Sequence, residues 1–307
     1  MKLSLVVPCY NEEEIITLFY DYVDKLELSH KYELEFIFID DGSKDDTLKR
    51  CRELSQKDVR VRYVSFSRNF GKEAALLAGL RHATGDYVVT MDADLQHPPA
   101  LLETMLKELT QNNDYESVAA YRVSRDGESF IRSFLSKKFY SFMNMLSDVK
   151  LEKNSTDYRM MSRKFVDAVL SLAEVNRFTK GIYAWVGFET KFISFENVER
   201  EAGTTKWSIW NLFKYSLEGL SSFSTVPLHF ASIAGIICSL LALLYIIYVV
   251  GKTLIWGEPV KGYPSLVCLI MLVGGFQMFC TGILGFYLSK MYREIKKRPV
   301  YIEKEYK

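Results

Sequence analysis

Apolar residues in the first part of the chain come in short runs, each closed by polar residues. Leu3–Val7 runs into Pro8-Cys9-Tyr10-Asn11, and Phe36–Ile39 into Asp40-Asp41-Gly42-Ser43. Val61–Phe66 runs into Ser67-Arg68-Asn69-Phe70-Gly71-Lys72, and Tyr87–Met91 into Asp92-Ala93-Asp94. Runs of this length bounded by turn residues predict buried strands. Between them the period changes. Ile15, Ile16, Leu18, Phe19, Tyr22, Val23 and Leu26 recur at helical spacing, with Glu12, Glu13 and Glu14 placed to suit the dipole of a first turn. Asp45 and Asp46 start a helix through Leu48, Cys51 and Leu54, Ala74–His82 forms the next, and Pro98-Pro99 opens the one after the fourth strand. Strand and helix in alternation predict a parallel sheet with crossover helices, an α/β fold.

Val118–Tyr121 and Lys191–Phe195 read as further strands, and 155–159 precedes a helix from Arg163. The glycine-bracketed aromatics of 180–188 read as core.

The pattern changes again beyond Pro227. Two long uncharged stretches, at about 228–250 and 265–289, have the length and polarity of bilayer-spanning helices. Lys290, Arg293, Lys296, Lys297 and Arg298 follow, and a basic cluster of this kind marks the cytoplasmic side. Trp207–Phe223 mixes Trp207, Ile209, Trp210, Leu212, Phe213, Leu217 and Leu220 with Lys214 and Glu218, which suits a helix in the headgroup region. The expected organisation is a cytoplasmic domain at 1–204, a juxtamembrane amphipathic helix at 205–226, a two-helix hairpin at 227–290 and a basic cytoplasmic tail at 291–307. Two spans leave both termini in the cytoplasm of a multi-pass cell-membrane protein.

Composition adds exclusions. A net charge of +1 over 307 residues gives no reason to expect a nucleic-acid partner. Five cysteines without a Cys-x-x-Cys pair argue against a metal or disulfide framework and fit a reducing compartment. The first apolar run is too short for a secretory signal. Neither a Gly-x-Gly-x-x-Gly nor a P-loop pattern stands at the first strand–helix turn, so phosphates would have to be met by cations or a metal.

Right-handed crossovers bring the polar strand ends together at one edge of the sheet, where open α/β sheets bind ligands. Asp92 and Asp94 are two apart, so a regular strand would send both to one face. Two carboxylates so placed call for a cation, and hard oxygen ligands suit Mg²⁺ or Mn²⁺ together with substrate phosphates. An isolated Asp-x-Asp reads equally well as a solvated turn.

The long motifs VVPCYNEEE, FIDDGSKDDT, SRNFGKEAALLAGL and MDADLQHPP resemble family 2 glycosyltransferases with the GT-A fold. DYRMMSR, KGIYAWVGF and the paired C-terminal spans make the chain similar to polyprenyl-phosphate glycosyltransferases, the bactoprenol (undecaprenyl-phosphate) glucosyltransferases more than the dolichol-phosphate mannose synthases. The resemblance covers essentially the whole chain. It implies that Pro8, Tyr10 and Glu12 line the nucleobase and ribose, and that Ile39 and Asp41 hold the base. It places Asp92, Ala93 and Asp94 at the ribose and diphosphate, with Asp92, Asp94 and Gln96 around a divalent Mg²⁺ or Mn²⁺. Lys72 belongs to the nucleotide-sugar set, and Arg122 lies near the donor or acceptor phosphate. Arg200 and Lys206 would close over the diphosphate from a loop, and Asp157 would sit near the sugar or acceptor phosphate. The implied catalytic set is Asp94, Asp157, Arg122 and Arg200. The Gln-x-x-Arg-Trp signature of processive synthases is absent.

The implied reaction is inverting transfer of a hexose, glucose first, from a UDP-sugar to undecaprenyl or another polyprenyl phosphate beside membrane lipid. A homo-oligomer, with a tetramer as one option, and a downstream flippase and glycosyltransferase are the implied partners. N-acetylglucosamine or another sugar, a hydroxyl acceptor, and a non-catalytic membrane adaptor remain as alternatives. A hydroxyl acceptor would need a general base, which an anionic phosphate does not. Arg122 and the basic segment Arg132, Lys137 and Lys138 are candidates to screen two anionic reactants.

Overall fold

The computed structural model describes residues 1–111, 114–122, 155–196, 224–256 and 262–307. Four parallel strands form its centre: β1 (Lys2–Cys9), β2 (Glu33–Asp40), β3 (Val61–Phe66) and β4 (Tyr87–Thr90). Three more complete one side: β5 (Ser117–Arg122), β6 (Ser155–Ser162) and β7 (Thr190–Phe195). A last strand, β8 (Glu303–Tyr306), lies at the far edge, so the order is β7-β5-β6-β4-β1-β2-β3-β8. β6 runs antiparallel to β4 and β5, and β8 antiparallel to β3.

The helices are α1 (Ile16–Asp24), α2 (Glu27–Lys31), α3 (Thr47–Lys57), α4 (Lys72–His82), α5 (Leu101–Gln111), α6 (Arg163–Ser171), α7 (Thr179–Trp185), α8 (Val226–Trp256) and α9 (Tyr263–Ile295). Each face of the sheet carries an apolar cluster. Phe19, Phe36, Phe38, Met105 and Tyr158 lie in one, and Val6, Ile37, Leu77, Phe165 and Ile182 in the other. α4 presses so closely on β1 that a Cβ on Gly79 would stand 2.0 Å from Val6 Cγ1. Only glycine permits that approach.

Three local expectations are corrected. Glu12, Glu13 and Glu14 precede α1 instead of forming its first turn. Asn11 takes a left-handed conformation (φ 55°), and the Glu12 amide donates to Thr47 Oγ1 at 2.8 Å. The Glu13 carboxylate accepts the Asp46 amide at 2.7 Å, so these residues clasp the next loop. The residues 155–159 are the start of β6, paired with both β4 and β5. The basic tail is not only a charge cluster: it rejoins the sheet as β8. There Tyr301 stacks on Phe66 (4.8 Å between centroids), and Arg52 makes a two-pronged pair with Glu305 at 2.7 Å. The pair's planar geometry fixes the strand as well as neutralising it.

α8 and α9 have 31 and 33 residues. At 1.5 Å per residue each is about 45–50 Å long, more than the roughly 30 Å hydrocarbon core of a bilayer. Both are apolar enough to cross a membrane, and they expose Leu244, Leu272 and Met278 by 63%, 70% and 75%. Apolar surface on that scale marks contact with lipid or protein.

A buried carboxylate ties the bottom of the sheet. Glu35 accepts from Ser4 Oγ (2.5 Å), the Thr84 amide (3.0 Å) and hydroxyl (2.9 Å), and Arg62 (3.0 Å). Burial opposes its ionisation, but these bonds outweigh burial and hold its pKa at about 2, below the ordinary 4.5. A carboxyl lowered on folding stabilises the protein above its unfolded pKa, and the benefit fades as pH falls through the folded value. Glu35→Gln is therefore expected to cost about 2–3 kcal/mol at pH 7, with the gap to the parent closing between pH 4.5 and 2. Denaturant unfolding in detergent at pH 7 and pH 3 measures it. An equal penalty at both values would contradict the assignment.

Candidate active site

The polar strand ends do converge. The β1–α1 and β2–α3 loops interlock through the Asn11 amide to Ser43 Oγ (3.0 Å) and the Lys44 amide to Asn11 Oδ1 (2.9 Å). Asp41 reaches the next loop, accepting the amides of Phe70 (2.6 Å) and Gly71 (2.9 Å). Gly42, at φ 67°, lets this happen: a Cβ there would lie 2.4 Å from the Arg68 carbonyl carbon. Burial pushes the Asp41 carboxyl upward despite the two amides. Ile39 is fully buried in the core beneath.

Lys72 opens α4, and its ammonium stands 2.6 Å from Asp92 Oδ1 and 2.6 Å from Asp157 Oδ2. Lys180, in α7, lies 4.0 Å from the other Asp157 oxygen. β6 brings Asp157 here. The Thr90 hydroxyl at the end of β4 donates to the Asp157 carbonyl at 2.6 Å. Burial works against the charged form of all three groups, but their mutual attraction wins. Lys72 holds Asp92 and Asp157 below the carboxylate range, and they hold Lys72 above its ordinary value.

The regular strand expected to run through Asp92 and Asp94 stops short of them: β4 ends at Thr90 and the chain turns. Leu95 adopts φ 55°, and Asp94 Oδ1 accepts the Gln96 amide at 3.2 Å. Asp92 thus faces Lys72, while Asp94 sits on the turn. The turn is held from below by His97, which is 2% exposed. His97 Nδ1 accepts the Asp92 amide at 3.2 Å, so its proton is on Nε2, and burial keeps the ring neutral by lowering its pKa. Its ring stacks on Tyr158 at 5.2 Å.

Pro8 and Tyr10 are partly exposed at the tip of β1, and Ala93 is buried between the two acids. Arg122 is the last residue of β5, opposite Phe195 in β7, and Tyr121 before it pairs with Ser155 in β6. That register puts Arg122 at the sheet edge that carries Asp157. Arg200, Lys206, Arg132, Lys137, Lys138 and the 207–223 segment lie outside the described residues. His97, Lys180 and Glu73 escaped the sequence reading. A histidine five residues after the first acid was the available signal for His97.

Among the described residues no group of three or more His, Cys, Asp or Glu side chains could hold a metal by itself. Asp92, Asp94 and Gln96 nonetheless offer hard oxygen donors, and Mg²⁺ sites commonly combine one or two carboxylates with substrate phosphates. The donor chemistry fits a metal that arrives with a diphosphate.

A mixed, mostly parallel sheet flanked by helices, with an acid–cation cluster at its C-terminal edge, is the GT-A arrangement. The family model for glycosyl transferase family 2 matches residues 4–170. The chain belongs to glycosyltransferase family 2, and it is a glycosyltransferase. It is 44% identical over 303 residues to the putative glycosyltransferase CsbB of Bacillus subtilis (strain 168), covering 99% of this chain and 91% of that one. It is 42% identical over 307 residues to a prophage bactoprenol glucosyl transferase homolog of Escherichia coli (strain K12), covering 100% of both. Among solved structures, glucosyl-3-phosphoglycerate synthase from Mycobacterium tuberculosis, in complex with Mn²⁺ and UDP-glucose, is 20% identical with a TM-score of 0.47, covering 72% of this chain and 77% of that one.

Proposed function

We propose that this protein is an inverting glycosyltransferase that moves a hexose, glucose first, from a UDP-sugar to undecaprenyl or another polyprenyl phosphate at the cytoplasmic membrane face. The observation that carries the proposal is the union of two features in one chain. The acid–cation cluster of Lys72, Asp92 and Asp157 is built into a sheet whose last strand, β8, comes after two long apolar helices. Full-length relatives named bactoprenol glucosyl transferase support the acceptor class, at 41% identity in Shigella phages SfII and SfX.

The topology supports the expected orientation. The chain leaves the sheet after β7 and rejoins it as β8, so if α8 and α9 cross a bilayer, both ends of the hairpin lie on the side of the catalytic sheet. A polyprenyl phosphate keeps its tail in lipid and its head at the surface, so the hairpin raises the effective concentration of acceptor at the site. A homo-oligomer formed through the hairpin fits the small residues Gly274, Gly275, Gly282 and Gly285 of α9.

In the proposed reaction an acceptor phosphate oxygen forms a bond to the anomeric carbon as that carbon's bond to the diphosphate breaks. The electron pair leaves with UDP, and the configuration inverts. Asp92, Asp94 and Gln96 would hold Mg²⁺ or Mn²⁺, which when bound neutralises the departing diphosphate. Pro8, Tyr10, Glu12, Asp41 and Ala93 form the proposed nucleoside side of the site, with Ile39 in the core beneath them. Arg122, Arg200 and Lys206 would add fixed positive charge where charge develops. The acceptor is already anionic, so no strong general base is required. Asp157, with its carboxylate engaged by Lys72, is suited to hold that cation in place.

The test is incubation of membranes containing the protein with labelled UDP-glucose or UDP-N-acetylglucosamine, undecaprenyl phosphate and Mn²⁺. The expected product is a glucosyl-phospho-lipid, labile to mild acid. Label appearing only in a diacylglycerol or protein fraction would overturn the phosphate-acceptor reading, and label from N-acetylglucosamine alone would overturn the sugar.

A further inference from the structure

The second apolar helix does not end free of the catalytic domain. Glu294, one residue before the end of α9, accepts the backbone amides of Val175 at 3.0 Å and Asn176 at 2.8 Å. It also accepts the Asn176 side-chain amide at 2.8 Å, and that same amide reaches the Lys290 carbonyl at 3.4 Å. One carboxylate thus clasps a loop 118 and 119 residues away in sequence. The loop is short and braced. The Arg177 guanidinium donates to the Leu172 carbonyl at 2.8 Å, tying the loop back to the end of α6.

The clasped loop leads straight into α7. Its first residue, Thr179, donates its amide at 2.8 Å, and its hydroxyl, to Glu73. Glu73 follows Lys72 in the first turn of α4. Lys72 bridges Asp92 and Asp157, and Lys180, directly after Thr179, faces Asp157 as well. Every connection from Glu294 to the bridged acids is therefore a hydrogen bond to a carboxylate, an ion pair, or a step of a few residues along the chain. Bonds of that kind are directional and stronger than neutral ones. Burial raises the Glu73 carboxyl even though Thr179 donates two bonds to it.

We infer that Glu294 and Glu73 are positioning residues. Together they hold the membrane hairpin in register with the Lys72–Lys180 edge of the site, so that an anionic lipid head arriving along α9 meets those two cations. The delivery half of this inference rests on the lipid-phosphate reading above. The mechanical half does not.

Hydrogen exchange and kinetics on the full chain in detergent separate the two halves. Glu294→Ala is expected to raise exchange about tenfold at amides 175–182 and 71–74, leaving β1, β2 and β4 at parental rates. It is also expected to raise KM for undecaprenyl phosphate about tenfold and to leave KM for UDP-glucose within twofold. Glu294→Gln keeps one acceptor oxygen and should fall between. If Glu294→Ala fails to fold, Asn176→Ala gives the same pattern at smaller size, because it removes one donor only. Faster exchange confined to 175–178 would overturn the relay. Propagated exchange with an unchanged KM for the lipid would overturn delivery. A parent that transfers sugar to no polyprenyl phosphate would overturn the function proposed above, while the exchange pattern would still decide the relay.

Discussion

Asp94→Asn is expected to lower sugar transfer by about 10²–10³-fold, the size seen when one preorganised electrostatic group is removed from a transition state. The fold should survive. Asp94 lies beyond the end of β4, on a turn, and its Oδ1 accepts the Gln96 amide at 3.2 Å. An asparagine carbonyl can accept that same bond, so the turn keeps its shape. What disappears is one negative charge at the tip of the sheet, where a divalent cation would join the diphosphate. Titration of the variant with Mn²⁺ and UDP should show much weaker metal-dependent binding, with the circular dichroism spectrum of the parent. Transfer at the parental rate would remove Asp94 from the metal site.

The core of this arrangement was legible from the chain alone, because buried parallel strands announce themselves as uninterrupted apolar runs. Leu3–Val7, Phe36–Ile39 and Val61–Phe66 are such runs, and the polar residues after each mark the loops that meet. β6 was not legible. In Ser155–Ser162 polar and apolar residues alternate without a clean period, since Tyr158 and Met160 pack on one face, Met161 packs on the other, and Arg159 is buried too. Arg159 is accommodated by hydrogen bonds to Ser117 and Thr190 and by the ring of Tyr183 beneath it, partners from three separate elements. Such compensation exists only after the sheet has assembled, so no window of sequence displays it. β8 was hidden for a similar reason. Glu303–Tyr306 is a charged stretch after a basic cluster, and it becomes a strand only because β3 offers an unpaired edge and Arg52 a partner for Glu305. The site shows the same division. Asp92 and Asp94 stand out by motif, whereas the meeting of Lys72 with Asp157 depends on an antiparallel strand placed between β4 and β5.

That meeting supports the second large effect. Lys72→Met should lower transfer by at least 10²-fold and destabilise the protein by about 1–3 kcal/mol. The figure is below the cost of breaking a fully buried pair, because Lys72 and Asp92 keep 39% and 33% of their side-chain surface in solvent. Without the ammonium, Asp92 and Asp157 face each other with less counter-charge, and like carboxylates at close range repel. Adding Asp157→Asn to Lys72→Met removes that repulsion. The double variant should therefore recover most of the lost thermal stability in detergent but none of the lost transfer. Recovery of both would mean that Lys72 only neutralises its neighbours; recovery of neither would mean that the two acids do not share it. Asp157→Asn alone also separates the acceptor classes. With a phosphate acceptor it should harm transfer less than Asp94→Asn, because no proton has to be removed, whereas a hydroxyl acceptor would make Asp157 the more damaging loss of the two.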